Sequence, residues 1–380
     1  MEKIKVLHII EGLSLGGAER RLINDLKLLD KSRFDCAVCV LFERFGMEGE
    51  IQKLGIPVYK INFKGCFDPA GIGRLLKVVK EFKPRIIHTQ LFWADLYGRL
   101  AAILSGTKAV LTTVQSSVYE PESGCLFSRK RKFLDLLSGK IADAKYIAVS
   151  ESVKVSIMRR LAVSPDKARV IYNYVDFAGV KKAGLEESRD LKIGLGINGA
   201  DILLSTVGRL NPPKGHRFIL EALSKLKQEF PSLKLLVVGD GPGRADLEAL
   251  AKELGIASNV LFLGMRQDAK GIMAISDFFV FPTLSEGMPL SLLEAMALEV
   301  PCIASAIGPV KEAIEDKKTG YLFPPGNSGE LAELLRSVMT DRNAARKAAV
   351  LGALKAGEKF DANRCARQLS EFYEDLCEEM

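Results

Sequence analysis

The chain has 380 residues, of which 48% are hydrophobic and 27% are charged, and its formal net charge is +7. This length is long for one hydrophobic core, so two domains are expected, and the ordinary composition leaves little room for long disordered segments. No apolar run reaches about 18 residues, so the sequence offers no membrane-spanning helix. Residues 1–10 lack the apolar core of a signal peptide, and the seven scattered cysteines suit a reducing compartment, so a cytoplasmic location is expected.

The first half of the chain alternates between short apolar runs and amphipathic runs. Residues 4–10 predict a strand, and a helix follows it behind the Gly16-Gly17 pair. Further strands are predicted at 36–42, 58–61, 85–89, 109–114 and 146–150, and helices at 48–54, 72–82 and 94–104. This alternation predicts a parallel sheet with helices on both faces, in which ligands bind beyond the C-terminal strand ends.

Two of these strands end in polar residues. His88 and Gln115 are therefore expected on the ligand-binding rim of the sheet, although a lone histidine there is also often a structural hydrogen bonder. Cys36 and Cys39 form a CxxC pattern. That pattern lies in a predicted strand and has no second ligand pair, so zinc is not expected.

A basic run precedes an apolar one at residues 129–137. The run Arg129, Lys130, Arg131 and Lys132 is followed by FLDLL, which predicts the start of a helix. It fits either a solvated helix face or contact with an anionic membrane surface, because such anchoring needs both basic charge and buried apolar side chains. Nucleic acid fits less well, since no basic stripe is interleaved with aromatic residues.

The alternation restarts at residue 202, after a polar stretch at 181–199. Arg209 and Lys214 follow a strand end and precede a helix predicted at 218–230. A guanidinium and an ammonium group in this position suit a diphosphate, although two surface cations in a Pro-rich loop are the plain alternative. A strand at 233–238, a glycine-rich loop at 239–243 and a strand at 260–263 come next.

Residues 278–298 predict a strand, a polar loop and a helix. The strand is 278–281, and the helix 290–298 begins after Pro289. A loop that leads into a helix N-terminus can bind an anion with its backbone N–H groups. Glu286 and Glu294 flank this segment, and each carboxylate could accept two O–H donors from a sugar or a ribose. From spacing alone, a glutamate at the edge of a core helix is the commoner case.

The exact sequences of several segments are more informative about function than the spacing of their residues. The segment EGMPLSLLEAMA at 286–297 resembles the signature of the retaining family 4 glycosyltransferases, which transfer sugars from nucleotide diphosphosugars. The segments GGAER, VGRLNPPKGH and GDGPG resemble other motifs of that family, in the family's order. The resemblance implies an α/β protein with the GT-B fold, in which two Rossmann-like domains with parallel sheets face each other across a cleft.

The resemblance also implies the domain boundaries and the reaction. Residues 1–172 would form an acceptor-binding domain, residues 173–360 a nucleotide-sugar-binding domain, and residues 361–380 a helix that packs back on the first. The implied enzyme is a retaining hexosyltransferase that needs no metal and no cofactor. Its expected donor is a nucleotide diphosphosugar, most often a UDP-sugar, and its expected acceptor is a glycan or a lipid-linked precursor at the inner face of the membrane.

Residue roles follow from the motifs. The resemblance implies catalytic roles for Arg209, Lys214 and Glu286, and an acceptor-side position for His88 and Gln115. It implies that the donor-binding residues are Gly16, Gly17, Arg209, Lys214, Gly264, Glu286, Gly287, Met288, Pro289, Leu290 and Glu294. The two Rossmann-like halves would place the donor residues mainly in the second domain.

Some positions depart from the family pattern. Gln90 and Gln115 stand where many relatives have histidine, and Glu299 stands where relatives usually have glycine. Glutamine cannot shuttle protons, so no general-base role transfers to Gln90 or Gln115. The two glutamines keep one rival function open, a non-catalytic GT-B subunit that binds a nucleotide sugar. A nucleotide-sugar epimerase with the same fold is the other rival.

Overall fold

The computed structural model describes residues 2–14, 16–43, 46–65, 67–117 and 129–378. Contacts between these residues divide the chain into two compact units. The first unit contains the described residues up to Asn173 and those from Ala362 onward, and the second runs from Tyr174 to Asp361. Both ends of the described chain therefore belong to the first unit.

The first unit contains, among its described residues, a sheet of seven parallel strands in the order β3-β2-β1-β4-β5-β6-β7. The strands are β1 (Ile4–Ile10), β2 (Phe34–Val40), β3 (Val58–Lys60), β4 (Ile86–Gln90), β5 (Ala109–Val114), β6 (Lys145–Ala148) and β7 (Ala168–Val170). The helices that precede the second unit are α1 (Gly17–Leu28), α2 (Glu48–Lys53), α3 (Pro69–Phe82), α4 (Phe92–Ser105), α5 (Arg129–Ile141) and α6 (Glu151–Arg160). Central β1 is apolar and fully buried at Val6, Leu7, Ile9 and Ile10, as expected for a strand covered on both faces.

The second unit contains, within the described part of the chain, a sheet of six parallel strands in the order β10-β9-β8-β11-β12-β13. These strands are β8 (Ile202–Val207), β9 (Leu233–Val238), β10 (Val260–Gly264), β11 (Phe278–Phe281), β12 (Cys302–Ser305) and β13 (Tyr321–Phe323). The helices are α7 (Phe177–Glu187), α8 (Leu191–Gly194), α9 (His216–Leu226), α10 (Arg244–Glu253), α11 (Ala269–Ala274), α12 (Leu290–Ala297), α13 (Gly308–Ala313), α14 (Ser328–Thr340) and α15 (Arg342–Lys359). The two parallel sheets confirm the α/β class predicted from the alternation of apolar runs.

The last helix, α16 (Ala362–Glu378), returns to the first unit. It packs against α1 and β4 there. Its apolar residues recur on one face, and Leu369, Tyr373 and Leu376 are buried. The break between α15 and α16 falls at residues 360–361, where the sequence predicts that the last helix begins.

Candidate active site

Four loops meet at the carboxyl edge of the second sheet. Neighbouring strands β10, β9, β8 and β11 are parallel, so the loops that follow them leave the same edge. Arg209 and Lys214 lie in the loop after β8, Glu286 lies in the loop after β11, and Gly264 is the last residue of β10. The strand order therefore collects, within this unit, residues that are far apart in the sequence.

The loops after β8 and β11 are in close contact at Gly215. Gly215 has a φ of +68°, and a Cβ atom built there would lie 1.9 Å from the carbonyl oxygen of Pro282. The backbone N–H of Leu284 donates to the carbonyl oxygen of Pro213 over 2.8 Å. Only glycine combines this left-handed conformation with so close a contact, so Gly215 allows the two loops to pack together.

This contact brings Lys214 and Glu286 together. The Lys214 Nζ donates to the Glu286 Oε1, and the exposed fractions of the two side chains are 27% and 12%. The hydroxyl of buried Thr283 donates to the carbonyl oxygen of Pro213 over 3.1 Å and lies 3.4 Å from the Glu286 Oε1. Sequence reasoning missed Thr283. Its only signal is a polar residue placed two positions after the end of a buried strand.

The glycine-rich loop after β9 packs against its neighbours on both sides. Gly239 has a φ of +133°, and a Cβ atom there would lie 1.9 Å from the carbonyl oxygen of Gly208. Its backbone N–H donates to the carbonyl oxygen of Gly264 over 2.8 Å. Gly239 therefore joins the loops after β8, β9 and β10 into one continuous surface.

The other predicted donor residues of the second unit differ in their exposure. Arg209 is exposed, and its side chain has no hydrogen bond or ion pair with the described residues. Gly287, Met288 and Pro289 are buried. Helix α12 begins at Leu290 without a side-chain cap, and half-buried Glu294 lies one turn further along it. An anion at this N-terminus would meet the positive end of the helix dipole.

The prediction that His88 lies on the rim of the first sheet is wrong. Strand β4 extends to Gln90, and His88 is fully buried inside it. The His88 Nδ1 is 2.6 Å from the hydroxyl of Tyr373, and its Nε2 is 2.7 Å from the hydroxyl of Thr113. Burial lowers the pKa of His88 well below its usual value, with a smaller contribution from His8. Both ring nitrogens have protein partners, so this histidine holds α16 and has no access to an acceptor.

Gln115, in contrast, lies where the sequence predicts it. It follows β5, is half-buried, and donates from its Nε2 to the Gln90 Oε1 over 3.1 Å. The glycine pair also belongs to the first unit. Gly16 is the N-cap of α1 with an extended backbone, and Gly17 is exposed, with no atom within 4 Å of the place that a Cβ would take. Only Gly17 is open, because the Glu19 carboxylate lies 2.4 Å from the place that a Cβ of Gly16 would take.

Helix α5 has an unusual distribution of polar and apolar residues. Its buried residues are Asp135 and Gly139. The Asp135 Oδ1 accepts from the Nη1 of fully buried Arg99 over 2.6 Å. Its exposed residues include Phe133 at 63%, Leu137 at 42% and Ile141 at 59%. The helix thus binds the protein through an ion pair and a glycine, and it presents an apolar stripe to the outside.

The described residues contain no group of three His, Cys, Asp or Glu side chains that could hold a metal ion. Cys36 and Cys39 both lie in β2, where burial raises the pKa of each thiol and that of Cys36 to about 12. A thiol that stays protonated is a poor metal ligand, because the thiolate is the form that binds metal.

Two family models match the chain in succession. Residues 15–178 match the model described as Glycosyltransferase Family 4, and residues 188–351 match the model described as Glycosyl transferases group 1. Together they cover most of both units. The edge that carries Lys214 and Glu286 lies in the part matched by the second model.

The chain is also similar to individual glycosyltransferases over most of its length. The chain is 28% identical to the UDP-Gal:alpha-D-GlcNAc-diphosphoundecaprenol alpha-1,3-galactosyltransferase of Escherichia coli, over 90% of this chain and 89% of that protein. It is 27% identical to the N-acetylgalactosamine-N,N'-diacetylbacillosaminyl-diphospho-undecaprenol 4-alpha-N-acetylgalactosaminyltransferase of Campylobacter jejuni, over 97% and 98% of the two chains. The crystal structure of Anabaena HepE in complex with UDP superposes with a TM-score of 0.85 at 23% identity, over 98% of this chain and all of that one.

These similarities define the class of protein. The fold is GT-B, with two Rossmann-like units. The chain belongs to the family 4, group 1 glycosyltransferases, and it is a transferase enzyme.

Proposed function

We propose that the protein transfers a sugar, with retention of anomeric configuration, from a UDP-sugar to a sugar carried on a polyprenyl diphosphate. The observation that carries this proposal is the ion pair of Lys214 and Glu286, held at the carboxyl edge of the second sheet by the contact at Gly215. The names of the Escherichia coli and Campylobacter jejuni relatives support a diphosphoundecaprenol-linked acceptor. The HepE complex supports UDP as the nucleotide.

In the proposed reaction the bond between the anomeric carbon and the leaving phosphate oxygen breaks. The acceptor oxygen bonds to the same face of the anomeric carbon, and its proton passes to the leaving phosphate. Arg209 and Lys214 stabilise the negative charge that develops on the diphosphate, and Glu286 accepts hydrogen bonds from the donor sugar. Glu294 accepts the ribose hydroxyls. These cations and the N-terminus of α12 make a metal ion unnecessary.

The first test is a thermal-shift screen with UDP, GDP, ADP and their sugar conjugates, with and without EDTA. A ligand present at about 100 times its Kd stabilises the native state by roughly 2.7 kcal/mol. We expect a shift with UDP compounds that EDTA leaves unchanged and that Glu294→Ala removes. If only another nucleotide raised the melting temperature, the donor would be a sugar conjugate of that nucleotide and not a UDP-sugar. If no nucleotide raised it, the result would favour the non-catalytic alternative.

The second test is transfer itself. The preferred donor is mixed with GlcNAc-diphosphoundecaprenol, and the configuration of the new glycosidic bond is read by NMR. An axial bond formed from an axial donor bond is the expected result. Conversion of the nucleotide sugar without acceptor would instead favour the epimerase, and an inverted bond would contradict the retaining mechanism.

We further propose that α5 docks the protein on an anionic membrane surface. No helix among the described residues has the length and hydropathy of a membrane span. The apolar stripe of Phe133, Leu137 and Ile141 is exposed, and Arg129 and Lys130 at the start of the same helix are exposed as well. Exposed apolar side chains beside basic charge are the two components of interfacial binding.

Vesicle cosedimentation tests this docking. We expect the protein to bind vesicles that contain phosphatidylglycerol more strongly than pure phosphatidylcholine vesicles. The double substitution Phe133→Ser and Leu137→Ser should weaken binding about tenfold or more, since each removes an apolar anchor. Ile193→Ser is the matched control, because Ile193 is 80% exposed but lies on α8 in the second unit. Equal loss in both variants would contradict a role specific to α5.

A further inference from the structure

Three carboxamide side chains form a hydrogen-bonded row in the first unit. Gln115 lies between Gln90, to which it donates over 3.1 Å, and Asn173, from whose Nδ2 it accepts over 3.3 Å. Asn173 in turn accepts at its Oδ1 from the Nη1 of Arg21 over 3.1 Å. We call these four residues, Arg21, Asn173, Gln115 and Gln90, the amide chain.

Arg21 fixes the direction of the whole amide chain. A guanidinium group only donates hydrogen bonds, so the atom of Asn173 that faces Arg21 must be its oxygen. The Asn173 nitrogen then faces Gln115 and requires an oxygen there, and the same reasoning turns the Gln115 nitrogen toward the Gln90 oxygen. The carboxamide orientations are therefore set by chemistry and agree with the observed contacts.

The cation at the start of the amide chain is itself immobile. Arg21 is fully buried, its Nε donates to Asp25 over 2.8 Å, and its Nη1 also donates to the carbonyl oxygen of Tyr172 over 2.7 Å. Each amide that accepts a hydrogen bond from a cationic or polarised donor becomes a stronger donor itself. The last amide in the row is therefore a better N–H donor than an isolated glutamine.

The amide chain ends in a donor that has no partner among the described residues. Gln90 is 1% exposed, and its Nε2 has no hydrogen-bond partner in the described structure. Gln90 is the last residue of β4, and Gln115 directly follows neighbouring β5, so both lie at the carboxyl edge of the sheet. A buried donor without an acceptor is costly, and a ligand oxygen would remove that cost. Half-buried Gln115 gives a ligand access to the pair from the outside.

We propose that the amide chain is a fixed hydrogen-bond donor for one hydroxyl oxygen of the acceptor sugar. Gln115 and Gln90 contact that oxygen, and Arg21 and Asn173 are positioning residues that hold the amides with their N–H groups toward it. This inference rests on the proposed function, which supplies the acceptor. It also explains the glutamines in place of histidines, because a polarised amide provides a donor that does not lose its proton with pH.

Asn173→Asp tests the direction of the amide chain with almost no change in shape. An aspartate accepts from Arg21 but cannot donate to Gln115, so Gln115 and Gln90 must both reverse and the row ends in an oxygen. We expect the KM for the acceptor to rise about tenfold, the size of one good hydrogen bond, while kcat changes little. Asn198→Asp is the matched control, because it adds the same charge at an exposed position of the second unit.

Deoxy acceptors separate this role from a purely structural one. A GlcNAc-diphospholipid with a short alkyl chain is compared with analogues that each lack one hydroxyl. The wild-type protein should discriminate about tenfold against one deoxy analogue, and Asn173→Asp should not discriminate against it. Equal discrimination by both proteins would overturn the proposal, even if Asn173→Asp were less stable.

A binding measurement keeps the inference separate from the proposed function. The side-chain 15N–1H signals of Gln90, assigned by their loss in Gln90→Glu, are followed while the same acceptor is added without donor. A shift in wild type that is absent in Asn173→Asp supports the amide chain even if no transfer is detected. Unchanged Gln90 signals at saturating acceptor, in a protein that does catalyse transfer, would overturn the amide chain and leave the proposed function standing.

Discussion

The carboxyl edges of the two sheets carry different polar chemistry. In the second unit, Lys214 and Glu286 form a partly exposed pair of opposite charges. In the first unit, the groups at the edge are the neutral amides of Gln90 and Gln115, and the charge that orients them belongs to fully buried Arg21. One arrangement of strands therefore supports two ways of placing polar groups. In the second unit, close packing of two loops brings charged groups together. In the first unit, hydrogen bonds that all donate in the same direction along the row align neutral groups.

The largest expected effect concerns the charged edge. Lys214→Ala and Arg209→Ala should each lower transfer roughly a hundredfold or more, because each removes a cation that stabilises the leaving diphosphate. Steady-state kinetics with donor and acceptor measure the loss. Lys252→Ala, at an exposed position of α10, should keep normal turnover. Near-normal turnover in both the Lys214 and Arg209 variants would remove the catalytic contrast between the two edges.

The loop contact that assembles the charged edge can be broken separately. Gly215→Ala should lower the free energy of unfolding by about 2 kcal/mol or more. The alanine would have to adopt a φ of +68°, and its Cβ would collide with the carbonyl oxygen of Pro282. The urea concentration at the midpoint of unfolding and the affinity for the donor are both expected to fall. Gly194→Ala is the control, because a Cβ at that position would meet no atom within 4 Å and its φ is not positive. A fully stable Gly215→Ala protein would contradict the role given to the close packing.

Buried histidines offer a pH test of the first unit. Burial lowers the pKa of His8 to about 3, whereas the unfolded chain binds a proton near pH 6.5. The stabilisation is therefore complete above pH 6.5 and decreases as the pH falls toward 3. Between pH 7 and pH 5 the free energy of unfolding should fall by about 2 kcal/mol from His8 alone.

The substitution His8→Phe should remove the part of the pH dependence that His8 contributes. Neither ring nitrogen of His8 has a hydrogen-bond partner among the described residues, so a phenyl ring should fit at little cost. Urea unfolding at pH 7 and pH 5 measures the difference. His88→Phe is the contrasting variant, because it loses the contacts with Tyr373 and Thr113 and should be less stable at both pH values. An unchanged pH dependence in His8→Phe would contradict the assignment.

The smallest expected effect lies at Glu299, which follows the C-terminal end of α12 and belongs to neither edge. Glu299 has a φ of +57°, which is strained for a residue with a Cβ, and its Oε1 accepts from Lys181 over 2.5 Å. Glu299→Gly should raise the free energy of unfolding by up to about 1 kcal/mol, because relief of strain outweighs a surface ion pair. Glu299→Ala keeps the strain and loses the pair, so it should be slightly less stable than wild type. A destabilised glycine variant would mean that the ion pair dominates.

Sequence patterns predict most strands of both sheets for a simple physical reason. Parallel strands buried on both faces are continuous apolar runs, which are visible without tertiary information. The short edge strands β7 and β13 are not predicted, and the predicted ends of β2 and β4 differ from the observed ones by one or two residues. The prediction of the charged edge also comes from local sequence, since Glu286 and Lys214 lie in recognisable motifs. What sequence does not show is the contact between them, which depends on the carbonyl of Pro282 approaching Gly215.

The features that the sequence does not predict depend on the exact end of a strand or on contacts between distant residues. The sequence predicts that β4 ends at residue 89, which would bring His88 to the rim, and one further residue leaves His88 well inside the strand. The amide chain joins Arg21 to Asn173 across 152 positions of sequence, so no local pattern contains it. Likewise, the polar inner face of α5 is explained only by Arg99, which lies 36 positions before its partner Asp135.

The return of α16 to the first unit has a consequence for the order of folding during synthesis. Tyr373 on α16 is the hydrogen-bond partner of His88 in β4, and Arg85 donates to the carbonyl oxygen of Cys377 on the same helix. The ribosome produces these partners almost 300 residues apart. The second unit, which is continuous from Tyr174 to Asp361, can therefore complete its core before the first unit acquires its last helix.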